Sequence, residues 1–246
     1  MEKESHREPI KKSSIRETLF SIIIASLTIL ILGFAINLKY AIGYLFILII
    51  HELGHYITSK FLKVNVVFGG FTPIGAYIVH ENPKNCKENA LIAMGGPLFG
   101  GILGLIYYIV YHVTGDYTFL VLSFTSIIVN LSNLIPVKPL DGGHIVEAIS
   151  PILCYIGFPF LIYMFISVNK LKSKILLFFI MVAGVYQTYN FTIKYKTDSY
   201  YKLDKYSKIK FIIIYSILVL SLAISAIYLY NTFNYKDIFK SIFRFK

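Results

Sequence analysis

Two histidines and a glutamate interrupt an otherwise apolar run, Tyr44-Leu-Phe-Ile-Leu-Ile-Ile-His51-Glu52-Leu-Gly-His55-Tyr-Ile57. A strongly polar side chain at membrane depth costs a few kcal/mol even on permissive scales, so all three need partners. Read as a helix, the run puts His51 and His55 on one face, about 6 Å apart. From that spacing two imidazole nitrogens can converge on one Zn²⁺ at about 2.0–2.1 Å, with the intervening Glu52 beside the metal as general base. The plainer alternative is a pair of interior histidines hydrogen-bonded across a helical bundle, but a polar cluster in an apolar run has few other ways to be satisfied. Gly54 costs a helix about 1 kcal/mol relative to Ala, and its use is to let another backbone come close.

A second polar constellation closes a later apolar run: Asn130-Leu-Ser-Asn133-Leu-Ile-Pro136-Val-Lys-Pro139-Leu-Asp141-Gly-Gly-His144. Pro136 and Pro139 each remove a backbone donor and break the helix, while Gly142-Gly143 permits a tight turn. Irregular backbone at membrane depth is tolerated where it lines a polar cavity or is buried in protein. Taken alone, Asp141 reads as a turn or cap residue of a helix starting near Ile145. Beside two histidines that lack a third ligand, it becomes a candidate for that place, with His144 as a competitor. His6, His80 and His112 have no partner at a useful spacing.

The elements that must position these residues follow from composition. With 246 residues, 56% hydrophobic and 15% charged, and a mean hydropathy of +0.66, the chain reads as a polytopic membrane protein and not a soluble domain. Apolar spans are expected over residues 18–36, 41–60, 90–111, 117–135, 145–167, 175–192 and 211–230. The fold class expected is therefore an all-α polytopic membrane protein of about seven transmembrane helices, or six. Residues 64–80, rich in Val, Phe and Ile and punctuated by Gly69-Gly70 and Pro73, predict a short membrane-associated β-hairpin. Small residues from Gly95 to Gly104 mark the third span as a close neighbour of the helix bearing the histidines. The expected domain partition is a polar lead over 1–17, a first transmembrane helix over 18–40, the core over 41–150, and further helices with a basic tail over 151–246.

Net charge is +11. The basic residues fall between apolar spans, so attraction to lipid and a positive-inside bias explain them, and no nucleic-acid partner is implied. With seven spans, two thirds of the 24 Lys and Arg fall on the face where the histidine-bearing span ends and the Asp141 stretch begins. That face is expected to be cytoplasmic, in the cell membrane. Cys86 and Cys154 suggest neither a disulfide framework nor a thiolate metal site.

These residues resemble the site-2 protease family of intramembrane zinc metalloproteases. The likeness rests on His51-Glu-Leu-Gly-His55, on Asn133-Leu-Ile-Pro-Val-Lys-Pro-Leu-Asp141-Gly142, which fits N-x-x-P-x-x-x-x-D-G, and on Gly96-Pro-Leu-Phe-Gly100 between them. It covers about residues 41–150 and implies a three-helix catalytic core there. It implies one Zn²⁺ per chain held by His51, His55 and Asp141, a catalytic Glu52, and Asn133 orienting substrate or stabilising an oxyanion. The implied partners are the lipid bilayer and a membrane-protein or membrane-associated peptide substrate, any regulatory membrane partner being left open. Many members carry Ala and Asn where this chain has Gly95 and Gly100. The rival reading is a non-catalytic metal-binding membrane protein or an ion transporter. A transporter needs acids at several depths, and the later spans carry few besides Glu147.

Overall fold

The computed structural model describes residues 15–72 and 75–233. Their order is α1 (Ile15–Ala35), α2 (Leu38–Phe61), β1 (Val66–Thr72), β2 (Gly75–His80), α3 (Cys86–Thr114), α4 (Tyr117–Asn133), α5 (Asp141–Ile145), α6 (Ile152–Ser167), α7 (Leu171–Lys194) and α8 (Lys205–Thr232). Single 3₁₀ turns occupy Val146–Ala148 and Ser199–Tyr201. The described residues are thus mostly helical, with one small two-stranded sheet.

Five of the helices, α1, α2, α3, α7 and α8, are long and apolar enough to cross a bilayer. Large side chains such as Phe34 on α1 and Ile217 and Ile224 on α8 stand exposed, as lipid-facing residues do. The protein is an integral membrane protein. Helices α4 and α6 are apolar but have 17 and 16 residues, which at about 1.5 Å per residue falls short of a hydrocarbon core of about 30 Å.

Two expected boundaries are corrected. The apolar stretch 145–167 is not one helix: α5 and its 3₁₀ turn end at Ala148, and α6 begins only at Ile152. Pro151 disfavours helical backbone in the residue before it, and it sits at the N-cap of α6. Helix α3 starts four residues before the apolar run, because Asn85 Oδ1 accepts from the Glu88 backbone N–H at 2.9 Å and so caps a polar first turn. The leading residues 1–14 and the basic stretch from 234 lie outside the described residues.

The chain divides into two compact units. Among the described residues, one comprises residues 15–82, Gly95–Leu131 and 220–233. Its core gathers Tyr40 and Ile47 of α2, Tyr107 of α3 and Leu122 of α4. Helices α3 and α4 run antiparallel and are stitched by two serines: Ser123 Oγ donates to Gly104 O and Ser126 Oγ to Gly100 O, both at 2.7 Å. Strands β1 and β2 pair antiparallel from Val66↔His80 to Thr72↔Gly75, and Gly69 is the extra residue of a bulge between Phe68 and Gly70. A Cβ on Gly69 would stand 2.2 Å from the Tyr77 ring, so the bulge needs glycine there.

The other unit comprises Pro83–Met94 and Ser132–Val219. Val137, on the irregular segment between α4 and α5, is fully buried among Leu161 of α6 and Leu177 of α7. A second cluster joins Val146, Cys154 and Phe191.

Candidate metal centre

Helix α2 begins cleanly, with Asn37 Oδ1 accepting from the Tyr40 backbone N–H at 2.7 Å. Its periodicity then carries His51 and His55 to one buried face, each 7% exposed. The two Nε2 atoms lie 3.1 Å apart, with the rings nearly perpendicular at 86°. Glu52 Oε1 lies 4.0 Å from His51 Nε2. One ligand atom from each of His51, Glu52 and His55 falls within 4.8 Å of the others.

Glycines make the space. A Cβ on Gly54 would stand 2.2 Å from Gly95 O, and one on Gly95 would stand 2.4 Å from Gly54 O, so α2 and α3 touch backbone to backbone. This is the close approach that a glycine beside the second histidine leads one to expect. One position further on, a Cβ on Gly96 would lie 2.3 Å from His55 Nε2 and 2.8 Å from His51 Cε1. The Gly96 backbone N–H also donates to His55 Nδ1 at 3.3 Å. Two converging imidazoles and an adjacent carboxylate, in a cradle that a single methyl would fill, suit Zn²⁺ by donor chemistry and by room.

A groove of about 440 Å³ opens beside Glu52. Ile49, Leu53 and Tyr56 of α2 form one wall, and Val66, Val67 and Phe68 of β1 form the other. The expected hairpin is thus present, and its first strand flanks the expected catalytic carboxylate.

One residue of this unit was not singled out from sequence. Asn130 of α4 is completely buried, and its Oδ1 lies 2.8 Å from His51 Nδ1. A polar residue one turn before Asn133 inside an apolar span was the available signal. Gly100 makes its place, because a Cβ there would come within 2.1–2.3 Å of the Asn130 amide.

The two other expected site residues belong to the second unit. Asn133 is the last residue of α4 and Asp141 the first of α5. The chain between them folds tightly: a Cβ on Gly142 would stand 2.2 Å from Leu134 O, and one on Gly143 2.2 Å from Lys138 N. Close approach, not unusual dihedral angles, is what the glycine pair supplies. The same unit holds a buried polar network. Lys138 Nζ pairs with Glu147, which is 1% exposed. The Asn89 amide donates to Glu147 Oε2 and to His144 Nδ1, the latter at 3.1 Å. Burial, and then the charge of Glu147, push the Tyr200 and Tyr201 phenols above the usual tyrosine range. Cys86 and Cys154 are free and buried.

Apolar membrane-crossing helices, a paired-histidine helix and a glutamate beside it define a candidate metal site in a membrane protein. Peptidase family M50 matches residues 39–119 and 112–161, together half of the 246-residue chain. The chain belongs to peptidase family M50, as its likeness to the site-2 proteases implied. It is 34% identical over 109 residues to a zinc metalloprotease of Methanocaldococcus jannaschii, the match covering 41% of this chain and 31% of that protein. The matched segment thus spans about a third of the curated relative's length. Among solved structures it is similar to a site-2 protease from Methanocaldococcus jannaschii, at 22% identity and a TM-score of 0.45, over 74% of this chain and 94% of that one.

Proposed function

We propose that this protein is an intramembrane zinc metalloprotease that hydrolyses peptide bonds in or near transmembrane segments of membrane proteins or membrane-associated peptides. The observation that carries the reading is the trio His51, Glu52 and His55, packed against glycines of α3 and bordered by a groove that runs to a β-strand. Family membership supports it.

His51 and His55 would hold the zinc from α2, and Asp141 would supply the third ligand, as the family pattern implies. When bound, zinc would supply Lewis acidity there, enough to lower the pKa of a water to about 7. Glu52 accepts the proton of the attacking water and passes it to the leaving amine, a role its place next to His51 suits. Asn133 donates a hydrogen bond to the developing oxyanion. A substrate helix hides its carbonyls in internal hydrogen bonds, so it must unwind before cleavage. Strand β1 pairs only with β2 among the described residues and flanks the groove beside Glu52. It receives the unwound segment by strand addition, with backbone bonds holding the chain and the groove taking side chains.

Helices α2–α4 form the core of this reading, α1 a separate first span, and the helices after residue 150 a supporting set. Counting α4 and α6 as spans gives seven. The distribution of Lys and Arg supports a site towards the cytoplasmic face of the cell membrane.

Glu52→Gln tests the reading, since it keeps the shape and removes the base. The purified variant is expected to bind zinc like the wild type and to lose cleavage of a transmembrane peptide by about 10²–10⁴-fold. Retained cleavage with zinc bound would refute the protease assignment.

A further inference from the structure

We propose that Asn130 is a positioning residue that fixes the tautomer and orientation of His51 for metal binding. The proposal rests on the metal site argued above. Asn130 is completely buried in an apolar helix, so both ends of its amide must find partners inside the protein. Its Nδ2 lies 2.7 Å from the Ser126 backbone carbonyl. A carbonyl oxygen can only accept, so the amide nitrogen must face Ser126 and the amide oxygen must face His51. That oxygen, 2.8 Å from His51 Nδ1, can also only accept. The His51 proton therefore sits on Nδ1, and Nε2 keeps its lone pair on the side where His55 and Glu52 stand.

The surroundings hold the amide in that sense. Ser126 Oγ donates to Gly100 O at 2.7 Å and locks α4 to α3 at this level. Gly100 leaves the one gap into which the amide fits, since any side chain there would collide with all three of its outer atoms. The arrangement is a polar relay running from the Ser126 carbonyl through Asn130 to His51. It has the form of the outer-shell hydrogen bonds that orient metal-bound histidines. Asn130 lies on a different helix from the histidine pair, so it also sets the rotation of α4 against α2.

The test is the zinc affinity of full-length protein in detergent, measured by competition with a chromophoric chelator, for the wild type, Asn130→Leu, Asn130→Asp, Asn130→Ala and His51→Ala. Leu matches the shape of Asn without an acceptor, Ala removes it, and Asp, held neutral by burial, keeps an oxygen facing His51 and an O–H that can donate to the Ser126 carbonyl. Asn130→Leu and Asn130→Ala are expected to bind zinc about 10–100-fold more weakly, and Asn130→Asp within about threefold of the wild type. Either apolar variant suffices if the other does not accumulate. Wild-type affinity in the apolar variants overturns the proposal, as does equal weakening in Asn130→Asp, which would mark a packing role alone. A wild type that binds zinc no better than His51→Ala would instead refute the metal site itself, and the proposal with it.

Discussion

The two units place polar groups in an apolar chain by opposite means. In the first, the histidines ride on a long regular helix, and precision comes from the neighbours: Gly54, Gly95 and Gly96 bring backbones together, and serines stitch α3 to α4. In the second, Asp141 follows a stretch that is not helical at all, and precision comes from closure. Gly142 and Gly143 press against the segment that precedes them, and the Lys138–Glu147 pair ties that segment to the turn beyond. Small residues suffice when a helix fixes the geometry. A loop needs charge buried behind it.

The contrast can be broken from either side, and the largest effect is expected in the second unit. Lys138→Met removes the cation and leaves the buried Glu147 carboxylate without its ion-pair partner, although the Asn89 amide still donates to it. This should destabilise the protein by about 3–5 kcal/mol in denaturant or thermal unfolding. Unchanged stability would mean that the pair does not brace the loop. In the first unit, Gly54→Ala introduces a methyl 2.2 Å from the Gly95 carbonyl oxygen, which backbone cannot yield easily. A loss of about 1–3 kcal/mol is expected, together with weakened zinc binding, because the methyl pushes α3 away from His55. Stability and zinc affinity both equal to wild type would contradict the backbone contact. The smallest effect on stability belongs to Val66→Pro on the groove-facing strand. Proline removes one strand donor, so cleavage should fall while zinc binding stays as in the wild type. Unimpaired cleavage would remove β1 from substrate binding.

The same contrast decides what could be read from the sequence. His51, Glu52 and His55 were legible because a four-residue spacing in an apolar run has one geometric meaning. So was the partner role of Gly54, since a glycine inside a helix is costly without a neighbour. The hairpin was legible from β-branched residues between glycines. Asn130 was not, because Ser123, Ser126, Asn130 and Asn133 all punctuate the same apolar run, and which of them faces the histidines depends on how α4 is rotated against α2. The Lys138–Glu147 pair was hidden for another reason: the two lie nine positions apart, one on the irregular segment before α5 and one in the 3₁₀ turn after it, and no single periodicity runs through both. The break before α6 was signalled by Pro151 but masked by the continuous apolar composition around it.

We propose that His51, His55 and Asp141 hold one zinc ion. Zinc affinity of the purified chain measures this most directly, with Asp141→Ala compared to His51→Ala, His55→Ala and the wild type. Each of the three variants is expected to weaken binding by more than about a hundredfold, beyond the range of outer-shell partners. Wild-type affinity in Asp141→Ala, with affinity lost in both histidine variants, would contradict the claim.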